Sequence, residues 1–551
     1  MEACAKLGVN PRLAVKHTVD QTGDDRVNDS QAVDRDGVTG AQAWCGRGQR
    51  HGPGPRRQRT GAIGEEIGFE GRVECPGPIC PLLSLPALTI SAQRTFGILS
   101  TLGFSCTILA TWEGIFKYEL PLACIMSSAN GFACSPALCY YLCQKLFTGW
   151  VTVIGWQAAF ASASFIAGTQ IQGAVLLSHS NYDAQPWHGT LIMWAAVVLA
   201  LGVNVAGGKL LPRLETVILV IHILGFFGIL IPLTYMADHK SKHDVFLDFV
   251  NDGGFPTQGL SWFVGMTGCV FAFAGGDAAV HMAEEVRDAS VAIPRAIMLS
   301  VLINGSLGFG MLIAVLFCLG NLEEALNTPT GYPYMEIFRQ ATDSVSGALG
   351  MTSIILIIGI CTIFGLLAAT SRQFWSFARD RAVPGWRIWS KVSPINCLPT
   401  YSILLTMSVT CLLGLINIGS SVALNAVVSM AVSGLYLSYL TVGSLLLWRR
   451  CTGAITHFQN GEDGVVNVPG AKLVWGPFHI PGIWGTIVNG YAVIFMVIVV
   501  FFSFWPSQME VDKTTMNFSV VGTVGTIILA MAYYVLRARK VYQGPVMEVS
   551  L

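Results

Sequence analysis

A carboxylate interrupts an apolar stretch at Ala110-Thr111-Trp112-Glu113-Gly114, and four more ionisable residues, Asp277, His281, Glu284 and Glu285, follow the run Phe271-Ala272-Phe273-Ala274-Gly275-Gly276 in another. If these stretches cross a bilayer, each charge at a helix centre costs at least about 2.5 kcal/mol, so such residues tend to be functional. The Gly275-Gly276 pair disfavours continuous helix by about 1 kcal/mol per glycine relative to alanine, which predicts a break there. A break frees backbone groups for ligands. Exposed amides at a break can hold a carboxylate, and Phe271 or Phe273 can cover an ammonium by cation-π attraction. The candidate substrate-binding residues are therefore Thr111, Trp112, Glu113, Phe271, Phe273, Gly275 and Gly276. Asp277, His281 and Glu284, spaced by four and three, share one face of a helix, a pattern suited to a proton relay, with Asp277 and Glu284 as the coupling carboxylates.

Plainer readings compete with these. Asp277, Glu284 and Glu285 can sit near the water-facing end of their helix. Glu113 can be a helix-end residue reaching for the surface, since Lys117 and Glu119 follow closely. His281 and Glu285 at i,i+4 match a metal pair, yet no third ligand stands nearby, so neither a metal nor another cofactor is expected. Trp156 and Gln157 can line a cavity, or Gln157 can pair with a neighbouring helix.

The elements that must position these groups follow from composition. Apolar residues make up 52% of the 551 residues and charged residues 12%, with a mean hydropathy of +0.56, which implies an all-α integral membrane protein. A formal net charge of zero offers no basic stripe for nucleic acid. The 15 Cys are scattered without the spacing of a disulfide framework or a metal knuckle. Residues 1–93, rich in Arg, Gly, Asp and Pro, read as a disordered cytoplasmic tail without a signal-peptide pattern. A transporter domain is expected over 94–540 and a short cytoplasmic tail over 541–551.

A membrane-spanning helix needs about 20 apolar residues, and about twelve such stretches can be marked: 96–116, 120–143, 146–177, 190–208, 212–236, 259–281, 293–320, 345–370, 400–418, 422–447, 482–505 and 517–537. The second is interrupted by Pro, Ser and Asn. Alternate loops differ sharply in Lys and Arg. One set carries Lys209, Arg213, Arg287, Arg295, Arg372, Arg379, Arg449 and Arg450, while the loops at 178–189 and 418–421 in the other set carry none. That bias places both termini in the cytoplasm. The two interrupted spans, the first and the sixth, stand five helices apart, as in an inverted-repeat transporter with a midplane site. Neither a phosphate-binding G-x-x-x-x-G-K-[ST] loop nor a channel filter is present, and no nucleophile or metal constellation suggests an enzyme. A secondary transporter is expected, with a non-transporting sensor as the alternative.

The strings "RTFGILSTLGFSCTILATWEGIF", "FTGWVTVIGWQAAFAS", "FAGGDAAVHMAEEVRDASVAIPRAI", "SRQFWSFARDRAVPGW" and "WGPFHIPGIWG" resemble the fungal amino acid, GABA and choline permeases of the amino acid-polyamine-organocation superfamily. The resemblance runs from about Arg94 to the C-terminal tail. It implies a five-plus-five inverted repeat with two added C-terminal helices, a plasma-membrane location, proton-coupled uptake of a small amino acid or amine, and a substrate site at the breaks in spans 1 and 6. Residues 117–144 depart from it. They lack the family's glycine-rich turn, its strongly apolar second helix and its "PTSGGQY"-like stretch. That departure predicts a poorly folded or inactive product.

Overall fold

The computed structural model describes residues 94–109, 111–115, 142–179, 181–206, 210–247, 249, 251, 253–394, 396–419, 421–456, 473–476, 478–512, 515–542 and 544. The expectations for the N-terminal tail, for most of the atypical 117–144 segment and for most of the C-terminal tail lie outside the described residues.

Two short helices open the described chain, α1 (Ile98–Ile108) and α2 (Thr111–Ile115). They are followed by α3 (Leu142–Ser178), α4 (Pro186–Ala206), α5 (Leu211–Met236) and the one-turn α6 (Lys242–Phe246). The second interrupted span comprises α7 (Gln258–Ala272), α8 (Ala278–His281) and a 3-10 turn over Ala283–Glu285. Next come α9 (Ala289–Phe317), α10 (Leu322–Leu326), α11 (Pro333–Thr342) and α12 (Val345–Arg379). The chain continues through α13 (Trp386–Trp389), α14 (Thr400–Gly414), α15 (Ile416–Gly419) and α16 (Ser421–Cys451). A small parallel pair, β1 (Ile455–Thr456) and β2 (Leu473–Val474), precedes α17 (Gly482–Phe502) and α18 (Ser519–Tyr533).

Among the described residues, nine helices are long and apolar enough to cross a bilayer. Helices are the only open elements that satisfy every backbone polar group within lipid, so a multi-pass bundle is the arrangement this composition permits. Burial shows which helices form its centre. The best apolar window of α3 is 83% buried, against 17% for the segment containing α18. Helix α3 is the axis and α18 lies at the periphery. On the outward faces, Leu224, Ile231, Ile483, Leu529 and Leu536 are exposed, as expected of side chains that meet lipid.

Close crossings rest on glycine. A Cβ placed on Gly434 of α16 would stand 2.8 Å from the Gly155 Cα of α3 and 3.2 Å from the Val151 carbonyl oxygen, so these helices meet backbone to backbone. Helix α12 runs past the end expected for it and carries Arg372 and Arg379 on its last turns instead of in a loop. Both guanidinium groups find carboxylates there, which favours continued helix.

Candidate functional site

The first break falls between α1 and α2. Leu109 leaves the helix at φ −76° and ψ 70°, its N–H still donating to the Ser105 carbonyl, and Thr111 N–H donates to Leu109 O at 2.7 Å. Carbonyls released by such a turn need donors when buried. Asn304 of α9 supplies them: its Nδ2 donates to both Cys106 O and Leu109 O at 2.9 Å. In return the Thr111 hydroxyl donates to the Asn304 carbonyl at 2.9 Å. The first break is thus clamped by a residue nearly two hundred positions away.

Trp112 and Glu113 are both buried, Glu113 at 2% exposure, which settles its alternatives in favour of an interior position. Its Oε1 lies 2.7 Å from His222 Nδ1 on α5. The other imidazole nitrogen, Nε2, has two neighbours, Trp112 Nε1 at 3.2 Å and Asn304 Oδ1 at 2.9 Å. Glu113, His222, Asn304 and Trp112 therefore form one buried polar group beside the first break.

The second break spans Phe273 to Asp277. Gly275 has φ +89°, a conformation that L side chains rarely adopt, which explains a glycine at this position. A Cβ there would lie 3.0 Å from Ile108 Cγ2 and 3.4 Å from Trp156 Cη2. The two breaks consequently face each other, with the buried Trp156 ring of α3 alongside. Gly276 and Phe273 are buried in the same turn, and Phe271 is half-buried against the core.

Asp277 follows the turn. Tyr439 of α16 donates its phenolic hydrogen to Asp277 Oδ1 at 2.5 Å, and His281 Nε2 lies 3.3 Å from Oδ2. The His281 ring stands edge-on to Trp156 with centroids 5.1 Å apart. Since His281 turns to Asp277 and Glu285 turns to Arg372, the i,i+4 histidine–carboxylate pair considered for a metal does not form.

The continuous face expected for Asp277, His281 and Glu284 also does not form. Helix α8 is a single turn, and the 3-10 turn that follows rotates Glu284 away. Glu284 Oε1 pairs with Arg379 Nη1 at 2.8 Å, and the carboxylate is 47% exposed. Asp277 and Glu284 therefore occupy different environments. Next to this ion pair the chain forms a small bridge: Phe96 N–H donates to Glu285 O, and Arg287 N–H donates to Phe96 O, both at 3.0 Å. The start of the first broken span is thereby bound to the end of the second.

Sequence reasoning missed His222, Asn304, Tyr439 and the positioning role of Arg372. His222 and Asn304 carried the signal used for Glu113, a polar side chain within an apolar stretch. Gln157 donates to the Thr406 hydroxyl at 3.0 Å, the interhelical pairing foreseen as its plainer role.

With this geometry in place, comparison with known sequences decides the family. The family model described as amino acid permease matches residues 98–527. The chain belongs to the amino acid permease family. Related proteins include one from Macrophomina phaseolina whose name provisionally assigns it amino acid or polyamine transport, 31% identical over 67% of this permease and 78% of that protein. The choline transporter of Saccharomyces cerevisiae is 29% identical over 70% of this chain and 65% of its own length. The Arabidopsis thaliana amino-acid permease BAT1 is 27% identical over 73% and 77% respectively. This permease is thus a multi-pass membrane protein of a transporter family, not an enzyme.

Proposed function

We propose that the permease is a secondary active transporter that imports a small amino acid or amine, of amino acid, GABA or choline type, across the plasma membrane with protons as the driving ion. The single observation that carries this reading is the contact between the two breaks, Gly275 against Ile108, which gathers unwound backbone, Trp156 and Asp277 at one place. The same pairing supports a five-plus-five inverted repeat with two further helices. The Lys and Arg bias supports cytoplasmic termini, with Arg372 and Arg379 on the inner side.

Asp277 is the carboxylate at the second break, and we place the substrate's ammonium against it. Trp156 and Phe273 supply apolar and cation-π surface. Thr111 and Gly276 contribute backbone at the turns, and Trp112 and Glu113 hold the first break in register through His222. Glu284, tied to Arg379, serves closure of the inner end instead of proton transfer.

A competition panel for labelled-solute uptake in permease-deficient yeast, run at two external pH values, tests the reading. Saturable uptake that one substrate class suppresses and acid accelerates is expected. A chain that reaches the surface yet accumulates none of the panel would favour the sensor or inactive reading, which the atypical 117–144 sequence supports. Replacing that segment with an ordinary family second helix then separates a defective copy from a sensor, because only the former gains uptake.

A further inference from the structure

The buried group around His222 contains two contacts with opposite demands on one proton. Asn304 Nδ2 donates to Cys106 O and Leu109 O, so the amide is oriented with Oδ1, an acceptor, facing His222 Nε2 at 2.9 Å. That contact is favourable only when Nε2 carries hydrogen. Trp112 Nε1, a donor, approaches the same Nε2 at 3.2 Å, which is favourable only when Nε2 carries a lone pair. Both cannot hold at once.

We propose that the Glu113–His222 pair is a proton-binding site that controls the first break, the site at which the coupled proton is held. In the proton-loaded state the pair carries two hydrogens. One lies between Glu113 Oε1 and His222 Nδ1, and the other lies on Nε2 and is donated to Asn304. In the unloaded state only the Nδ1 hydrogen remains, directed at the carboxylate, and the Nε2 lone pair accepts from Trp112. The bare lone pair then repels Asn304 Oδ1. Asn304 must turn, and its two bonds to the Cys106 and Leu109 carbonyls go with it. Gain or loss of one proton therefore tightens or releases the unwound turn that faces Gly275.

Charge supplies the direction. The loaded pair is neutral overall, whereas the unloaded pair carries one negative charge at a site where Glu113 and His222 are 2% and 0% exposed. A lone charge out of water costs several kcal/mol, so release requires water to enter as the break opens. Among the described residues, the neighbouring titratable groups do not supply a countercharge. Cys106 faces Glu113 from the first span, Glu215 lies two turns earlier on α5, Cys361 of α12 faces Glu215, and α9 presents the uncharged Asn304. The role in coupling rests on the transport reading above, but proton binding itself does not, and the test is chosen so that the two fail separately.

The purified full chain in detergent is to be unfolded thermally from about pH 5.5 to 8.5, the range in which an imidazole changes charge. Between the pH at which the unfolded histidine loses its proton and the pH at which the folded pair releases its own, the folded chain binds one proton more than the unfolded chain, so stability falls as pH rises across that window. His222→Gln replaces the titrating ring with a polar amide that does not titrate and should flatten this slope. Two further variants act in opposite senses. Trp112→Phe removes the donor that favours the unloaded state and should move the midpoint up. Asn304→Ala removes the acceptor that favours the loaded state and should move it down. Each shift should be roughly tenfold in proton concentration, about the worth of one buried hydrogen bond. A native chain without pH dependence, a His222→Gln chain with the native slope, or shifts of the same sign in the other two variants would overturn the proposal. Should the proton site pass while no solute is taken up, only the transport reading fails.

Discussion

Arg372 Nε donates to Glu285 Oε1 at 2.9 Å, joining the last turns of α12 to the turn that follows the second break, and the pair lies at 5% and 19% side-chain exposure. Further along α12, Arg379 reaches Glu284 with side chains 29% and 47% exposed. The two ion pairs link the same elements but differ in access to water, and that difference predicts unequal costs.

Arg372→Ala leaves Glu285 with an unpaired charge in a mostly buried position and should lower stability by about 3 kcal/mol. Arg379→Ala should cost at most about 1 kcal/mol and lose its effect in high salt. Thermal melting of the two variants in one detergent, at low and high salt, makes the comparison. Equal losses would show that burial does not govern the pairs.

Gly275 is the position where backbone conformation and space agree. With φ at +89° and Ile108 Cγ2 only 3.0 Å from where a Cβ would stand, Gly275→Val meets both torsional strain and a packed side chain. A conformation of this kind costs about 1–3 kcal/mol for a non-glycine residue, before any clash. Uptake should be abolished while the variant still reaches the membrane, as followed by surface labelling beside labelled-solute accumulation. Gly275→Ala should retain a fraction of uptake, since it lacks the branched methyl groups.

Much of this site was legible from residue types. The glycine pair marked the second break, and a carboxylate in an apolar run marked the first. What sequence could not supply was pairing across helices. Asn304 holds the carbonyls of residues 106 and 109, and His222 meets Glu113, contacts that depend on how α9 and α5 pack against the break. The Asp277–His281–Glu284 face failed for a local reason. Helical spacing predicts a shared face only while the helix continues, and here it gives way after His281 to a 3-10 turn, which advances each residue through a wider angle. Helix α12 outran its expected end because ion pairs, invisible to hydropathy, stabilise its final turns.

Asp277 should matter for recognition and Tyr439 for holding it. Asp277→Asn keeps the shape but removes the charge assigned to the ammonium, so uptake of cationic or zwitterionic substrates should fall at least tenfold. Tyr439→Phe removes the hydroxyl that donates to Oδ1 at 2.5 Å, a bond to a charged acceptor worth about 1.5–3 kcal/mol. A rise in KM with surface expression maintained is expected. Unaltered kinetics in Asp277→Asn would remove Asp277 from the substrate site.

Outside the long spans, α11 carries its own pH-sensitive contact. Burial would raise the Glu336 carboxyl, but hydrogen bonds from Arg339 and Gln340 and the charge of Arg339 outweigh it and hold the group below its ordinary value of 4.5. Its contribution to stability is therefore complete above that value and is lost as acidification passes through the lower folded-state value. Glu336→Gln should remove part of the destabilisation seen as pH falls below about 4.5, measured as the difference in melting temperature between the variant and the native chain. An identical acid limb in both would show that Glu336 is not held in its charged form.

The last prediction concerns how α1 is seated. Gly103 faces α5 so closely that a methyl group would collide with the Glu215 carbonyl oxygen and also meet the Leu219 Cβ at 3.4 Å. Backbone cannot swing aside as a side-chain tip can, so Gly103→Ala must push the two helices apart. Overpacking of this sort costs about 1–3 kcal/mol. Helix α5 carries His222 two turns beyond Glu215, and α1 leads directly into the turn before Glu113. Separating the helices should therefore stretch the 2.7 Å Glu113–His222 contact as well as lower stability. Gly97→Ala is the control, because a methyl group there would meet nothing within 4 Å, and it should stay within about 0.5 kcal/mol of the native chain. Melting temperature reports the packing cost. The pH dependence of melting reports the polar contact. Loss of stability with an unchanged pH slope would confine the glycine to packing, whereas loss of both would show that the α1–α5 crossing sets the geometry of the proton site.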